Sequence, residues 1–113
     1  MMPENYLALE TAIKAIGIPC AENDWNTRPK GDYITYGLEF EADADYADNR
    51  KVSRAWAGSI DFYSSKKRGG NVPAQIEAIL TEHCDGCWAL ETPGKWDREI
   101  NMFRFEWSFE VLG

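Results

Sequence analysis

The sequence contains one histidine, three cysteines and no apolar run near the roughly 20 residues that a membrane-spanning helix needs. Each shortage excludes a class of function. General acid–base chemistry most often runs through histidine, and His83 is the single one present, at the end of an expected helix where a partly charged imidazole complements the helix dipole. Ser59, Ser64 and Ser65 lack the Gly-x-Ser-x-Gly context of a nucleophile elbow, so no hydrolytic triad is expected. Cys20, Cys84 and Cys87 cannot all pair within one chain, which fits a reducing compartment better than a disulfide framework. Basic residues are also scarce: 12 Lys and Arg against 19 Asp and Glu give a formal charge of −7, which repels a polyanion at long range and argues against free nucleic acid as the main ligand. The leading Met1-Met2-Pro3-Glu4-Asn5 has neither the basic start nor the apolar stretch of a signal peptide, so folding inside the cell is expected. No catalytic residue, cofactor or membrane contact is assigned.

Aromatic residues, in contrast, are abundant. Five Trp, five Tyr and five Phe in 113 residues are a heavy aromatic load, and aromatics contribute most per residue to cores and interfaces. With 44% hydrophobic and 27% charged residues the composition is that of a folded globular chain, and its length suits one domain, residues 1–113, that buries roughly two-thirds of its unfolded surface.

Tyr6, Leu9, Ile13 and Ile16 recur at helical spacing with alanines between them, and Gly17 and Pro19 stop the helix. Turn formers run from 23 to 32 and enclose Trp25, which is either a lid on the core or an interface anchor. Two strands follow, 33–41 with Ile34, Tyr36, Leu38 and Phe40 on one face, and 52–63 with Val52, Trp56, Ile60 and Phe62. They are expected to be antiparallel neighbours joined by a long hairpin arm, residues 42–51. A second helix starts at an Asn71 N-cap with Pro73 in its first turn, carries Val72, Ile76, Ile79 and Leu80 on its buried stripe, and ends near His83 or Cys84. After 88–91 and a turn at Pro93 and Gly94, the last strand alternates Phe103, Phe105, Trp107, Phe109 and Val111 with Arg104, Glu106, Ser108 and Glu110. The expected fold is α+β, order α-β-β-α-β-β, with two helices on one face of a small, mostly antiparallel sheet.

Four features carry potential chemistry. Cys84-Asp85-Gly86-Cys87 has the spacing of a metal or redox pair, yet a structural zinc site needs four ligands, and a redox pair opens a helix where this one closes it; a plain helix-ending turn is the bland alternative, and Cys84 and Cys87 stay weak metal candidates. Asp43, Asp45 and Asp48 lack the glycine and closing glutamate of a calcium hand, which leaves a solvated acidic loop, weak cation binding or contact with a basic neighbour. Arg50, Lys51 and Arg54 then reverse the sign, so that in a ring one subunit's acidic arm can face the next subunit's basic strand start. Lys66-Lys67-Arg68-Gly69-Gly70 precedes a helix without the Gly-Lys-Ser/Thr of a P-loop, which leaves a solvated connection, partner docking or passing contact with DNA. Trp25, Tyr46 and Trp96 are candidate contact anchors, each of which can equally be packed in its own core.

The succession Trp56-Ala57-Gly58-Ser59-Ile60-Asp61-Phe62-Tyr63, then Ile76-Glu77-Ala78-Ile79-Leu80, then Phe105-Glu106-Trp107-Ser108-Phe109-Glu110-Val111 resembles the tail-completion or tail-terminator proteins of long-tailed phages. The resemblance implies a subunit of a homo-oligomeric ring, a hexamer, at the head-proximal end of the tail in the virion. Its partners would be copies of itself, the tail tube protein and the head-tail connector, with DNA only in passage. A small acidic inhibitor or immunity-type protein for a basic enzyme is a competing expectation from the net charge, and a zinc or redox module using Cys84 and Cys87 is a third. If the arm pairs with a neighbour, reversing the charge of Asp43 and Asp45 will weaken self-assembly in sedimentation velocity; unchanged assembly would refute that pairing.

Overall fold

A computed structural model describes residues 4–23, 29–42 and 55–112. The chain runs α1 (Glu4–Lys14), β1 (Cys20–Glu22), β2 (Tyr33–Ala42), β3 (Ala55–Ser64), α2 (Val72–His83), β4 (Trp88–Asp97) and β5 (Met102–Leu112). The strands form one mixed five-stranded sheet in the order β1-β2-β3-β5-β4. The class is α+β as the sequence indicates, but the order is α-β-β-β-α-β-β. The extra strand is β1, which lies parallel to β2 with Cys20 opposite Ile34 and Glu22 opposite Tyr36. Three residues are too few to show a period, so its strand character comes from this pairing alone.

In α1, Tyr6, Leu9 and Ile13 are fully buried, with Glu4 in the first turn and Lys14 in the last to complement the dipole. Gly17 takes a left-handed φ of 97° and ends the helix. Two phenols fasten α1 to the sheet: Tyr6 donates to Glu22 Oε2 at 2.5 Å and Tyr36 donates to Glu10 Oε2 at 2.6 Å. Burial first, then these hydrogen bonds to carboxylates, hold both phenols well above the ordinary tyrosine range. In α2, Asn71 occupies the N-cap without a side-chain cap bond; its carbonyl accepts from the Gln75 amide instead.

Antiparallel pairing sets Ile34 against Phe62, Tyr36 against Ile60, Phe62 against Phe105 and Ile60 against Trp107. These side chains share one face with Phe109 and Val111, and they cluster with Tyr6, Leu9 and Ile13 of α1 and Ile76 and Leu80 of α2. Trp107 sits at the centre, fully buried, with its indole N–H donating to Glu77 Oε2 at 3.0 Å. Without that acceptor a buried indole N–H would cost about 1–3 kcal/mol.

The turn expected at Pro93 and Gly94 is instead a bulge inside β4, where the register with β5 shifts between Pro93 and Lys95. Gly94 has φ 82°, and a Cβ there would lie 2.8 Å from the Phe105 ring. An edge strand tolerates both the proline and the bulge because that side has no ladder to interrupt. The reversal comes between Asp97 and Met102, where Asp97 Oδ1 accepts from the Glu99 amide and Asn101 adopts φ 55°.

Gly58 marks the tightest backbone approach: a Cβ on it would collide with the Gly37 carbonyl oxygen and stand 2.7 Å from Phe109 Cζ. Gly58→Ala is therefore expected to lower stability in urea denaturation by about 1–3 kcal/mol. Gly31→Ala, where a Cβ meets nothing within 4 Å, serves as the control and stays within about 0.5 kcal/mol; equal effects at both sites would refute the close-approach account.

Candidate functional site

The sheet face opposite the helices is polar. In register it carries Thr35, Ser59, Asp61 and Tyr63 beside Arg104, Glu106 and Ser108, because each alternates with a buried neighbour on its own strand. Arg104 Nη2 stands 3.4 Å from Asp61 Oδ1 and 3.5 Å from Glu106 Oε1. Thr92 donates to Glu106 Oε1 at 3.3 Å, and the Tyr33 and Tyr63 rings stack at 4.7 Å beside the cluster. The Asp61 side chain is only 19% exposed. Burial pushes its carboxyl up to about 6, the Arg104 guanidinium pulls it back, and Glu106 adds to the rise. Arg104 Nε is buried without a hydrogen-bond partner among the described residues. One guanidinium thus serves two carboxylates in a half-dry setting and leaves one donor unsatisfied.

Towards β4 and the distal part of β5 the same face is acidic. Ser59 donates to Glu39 Oε1 at 3.1 Å and Ser108 donates to Glu91 Oε2 at 2.8 Å, so two carboxylates are held by hydroxyls on neighbouring strands. Glu110 is exposed alongside them. A cleft of about 390 Å³ opens here, with Glu39 and Glu110 among its walls.

Cations gather at the other end of the sheet. Lys66, Lys67 and Arg68 are exposed in the connection from β3 to α2. Asp32 anchors that connection, accepting from the Ser64 hydroxyl at 2.7 Å and the Ser65 amide at 3.0 Å. The Lys67 carbonyl lies 3.0 Å from where a Cβ on Gly94 would sit, which brings the basic run against β4. Lys95, Trp96, Arg98 and Arg104 line a cleft of about 500 Å³ there, and Lys30 lines another with Ser65 and Met102. Trp96 is 46% exposed and rests edge-on against Phe103 at 4.9 Å. It belongs to a sheet edge and is not packed in the core.

Cys84 is buried and Cys87 exposed. They sit in a tight turn in which the Cys87 amide donates to the Cys84 carbonyl at 2.8 Å, and Asp85 and Gly86 take positive φ. Burial, then the neighbouring Cys87, pushes the Cys84 thiol up to about 12, the opposite of what an activated thiolate needs. Among the described residues no group of three or more His, Cys, Asp and Glu could hold a metal ion, and no helix is long and apolar enough to cross a membrane.

The other sequence candidates, Trp25, Asp43, Asp45, Asp48, Arg50, Lys51 and Arg54, lie outside the described residues, as do Tyr46 and most of the expected arm. Lys66, Lys67, Arg68 and Trp96 are brought to one end of the sheet. The residues that sequence reasoning passed over are Asp61, Arg104 and Glu106. Their signal was present as charges in the solvent phase of two alternating strands, but the pairing of Asp61 with Glu106 and of Tyr63 with Arg104 depends on register.

Because Asp61 binds its proton more tightly when folded, its stabilising share is complete below the unfolded value and lost as pH rises through about 6. Asp61→Asn is expected to gain stability relative to the wild type as pH rises from about 4 to about 6 and to keep that gain at higher pH. Urea denaturation across that range checks it, and a flat or reversed difference would refute the assignment.

A scan against protein-family models finds no match, and a search of curated proteins finds none, so the site is interpreted from its own geometry.

Proposed function

We propose that this chain is a structural subunit of a long-tailed phage particle: a ring-forming tail terminator that caps the tail tube and joins it to the head connector. The observation that carries the reading is the element order, a first helix, two ten-residue strands paired as a hairpin, a second helix and a closing pair of strands. Apart from the added strand β1, this follows the succession the resemblance implies. Ala42 pairs with Ala55 at the end of the two strands where the resemblance puts a long hairpin. The polar chemistry is compatible with a mechanical role: the buried charges are matched to one another, and the one thiol with a strongly displaced proton affinity is displaced away from reactivity.

The acidic stretch bearing Glu39, Glu91, Glu106 and Glu110 also favours a second reading, an inhibitor that covers a basic enzyme surface. Self-association separates the two. Purified protein mixed with tubes of the tail tube protein encoded in the same genome should form closed rings at one tube end and stop tube growth, visible by negative-stain electron microscopy. A chain that stays monomeric on and off the tube, and instead titrates a basic enzyme one to one, would overturn the terminator reading in favour of the inhibitor.

A further inference from the structure

Two ends of this sheet carry surfaces of opposite character. One is a projection: the exposed indole of Trp96 on edge strand β4, flanked in sequence by Lys95 and followed by Arg98, with the Lys66–Arg68 run packed close behind. Lys30, Lys66, Lys67, Arg68, Lys95 and Arg98 put half of the chain's 12 Lys and Arg at this end. Of the acidic groups beside them, Asp32 is engaged by Ser64 and Ser65 and Asp97 accepts from the Glu99 amide, while the Glu99 carboxylate is exposed in the same cleft as Trp96.

The other is a recess. Ala57, Ala89, Trp88 and Phe109 line a cleft of about 390 Å³ whose rim carries Glu39 and Glu110. Phe109 is buried with its ring packed against Gly58, so Ala57 and Ala89 are the apolar side chains open to the cleft, and pockets of this size fall within the range that accepts ligand-sized groups. Ser59 holds Glu39, so that rim carboxylate is positioned before anything binds and less ordering is needed on contact.

Trp96 pairs with Phe103 and the recess pairs around Phe109, so the two surfaces stand roughly 20 Å apart along β5. A surface and its complement at different places on one molecule suit a heterologous contact, which propagates head to tail and closes into a ring when the rotation allows. An aromatic anchor beside Lys95 and Arg98, meeting the alanine floor of a cleft edged by Glu39 and Glu110, combines a tryptophan hot spot with charge complementarity.

From this juxtaposition we infer that the occupant of the Glu39–Glu110 recess is Trp96 of a second copy of this chain, with Lys95 and Arg98 of that copy against the rim carboxylates. The inference rests on the ring reading and supplies its subunit contact. A nucleic acid would use the basic end alone and leave the recess empty; an acidic peptide would do the same.

The test uses the full chain. Trp96→Ala should raise the concentration for half-assembly by about tenfold or more in sedimentation velocity, and added salt should weaken the wild-type contact. Lys95→Glu with Arg98→Glu, and separately Glu39→Lys with Glu110→Lys, should each prevent self-assembly. An equimolar mixture of those two variants should assemble again, because each end then meets its complement on the other variant; so should a chain carrying all four changes. Circular dichroism of each variant confirms folding, and the mixing result does not depend on any single variant being fully stable. Rings that form normally in all variants would overturn this contact while leaving the terminator reading intact. Loss of assembly in both pairs without rescue on mixing would also overturn it. Binding of a duplex DNA oligonucleotide that disappears only in the Lys95/Arg98 variant, with assembly unaffected, would assign the basic end to nucleic acid instead. A wild-type chain monomeric even on tubes would remove the ring reading itself.

Discussion

The aromatic row of β5 has to lie against something apolar, and that requirement organises the rest of the molecule. Phe103, Phe105, Trp107, Phe109 and Val111 occupy alternate positions on a strand paired on both sides, by β3 and by β4. A strand in that place cannot rotate its aromatic side to an edge, so both helices are drawn to one face of the sheet, where Tyr6, Leu9, Ile13, Ile76 and Leu80 complete the cluster around Trp107. The same alternation leaves Arg104, Glu106, Ser108 and Glu110 no choice but the opposite face. Core and candidate surface are therefore two readings of one eleven-residue strand.

How much of this was legible depended on whether the deciding contact was local. Helix α1 was visible from Tyr6, Leu9 and Ile13, and α2 from its Pro73 start and its stop near His83, because those signals lie within a turn or two of each other. Strands β2, β3 and β5 were visible from period-two alternation over ten or more residues. Strand β1 was not, since Cys20, Ala21 and Glu22 become a strand only through hydrogen bonding to a segment beyond the next loop. Pro93 and Gly94 misled for the related reason that a turn dipeptide and an edge bulge use the same backbone freedom. Among candidate surface residues, the exposed Lys66–Arg68 run was legible from its charge, whereas the Asp61–Arg104–Glu106 cluster joins β3 to β5 and waits on register.

That cluster shows how the open face tolerates its charge. Two carboxylates share one guanidinium, and the shared arrangement is incomplete: Asp61 holds its proton up to about 6 and Arg104 Nε goes without a partner. A buried pair of this kind contributes little net stability over an apolar replacement, because desolvation offsets much of the attraction. Its effect lies in position. It fixes one cation between two carboxylates of that face, while Lys66, Lys67, Arg68, Lys95 and Arg98 gather at the end carrying Trp96.

Segregated charge has a geometric consequence. Two copies can satisfy both surfaces at once through a two-fold axis, which stops assembly at a dimer, or pass them head to tail from copy to copy, and the angle between the two surfaces decides which. Trp96 and the Glu39–Glu110 recess sit at different stations along β5, and they differ in shape as well as in sign. Like surfaces then repel, since projection meets projection with cations on both and recess meets recess with carboxylates on both, which disfavours pairing either surface with itself. In a head-to-tail arrangement that contact satisfies one end of each copy and leaves its other end open for the next. A closed ring then satisfies both ends of every copy with finite size, and the closure depends on the rotation between neighbours, which the rigid, twisted sheet between the two surfaces fixes in advance.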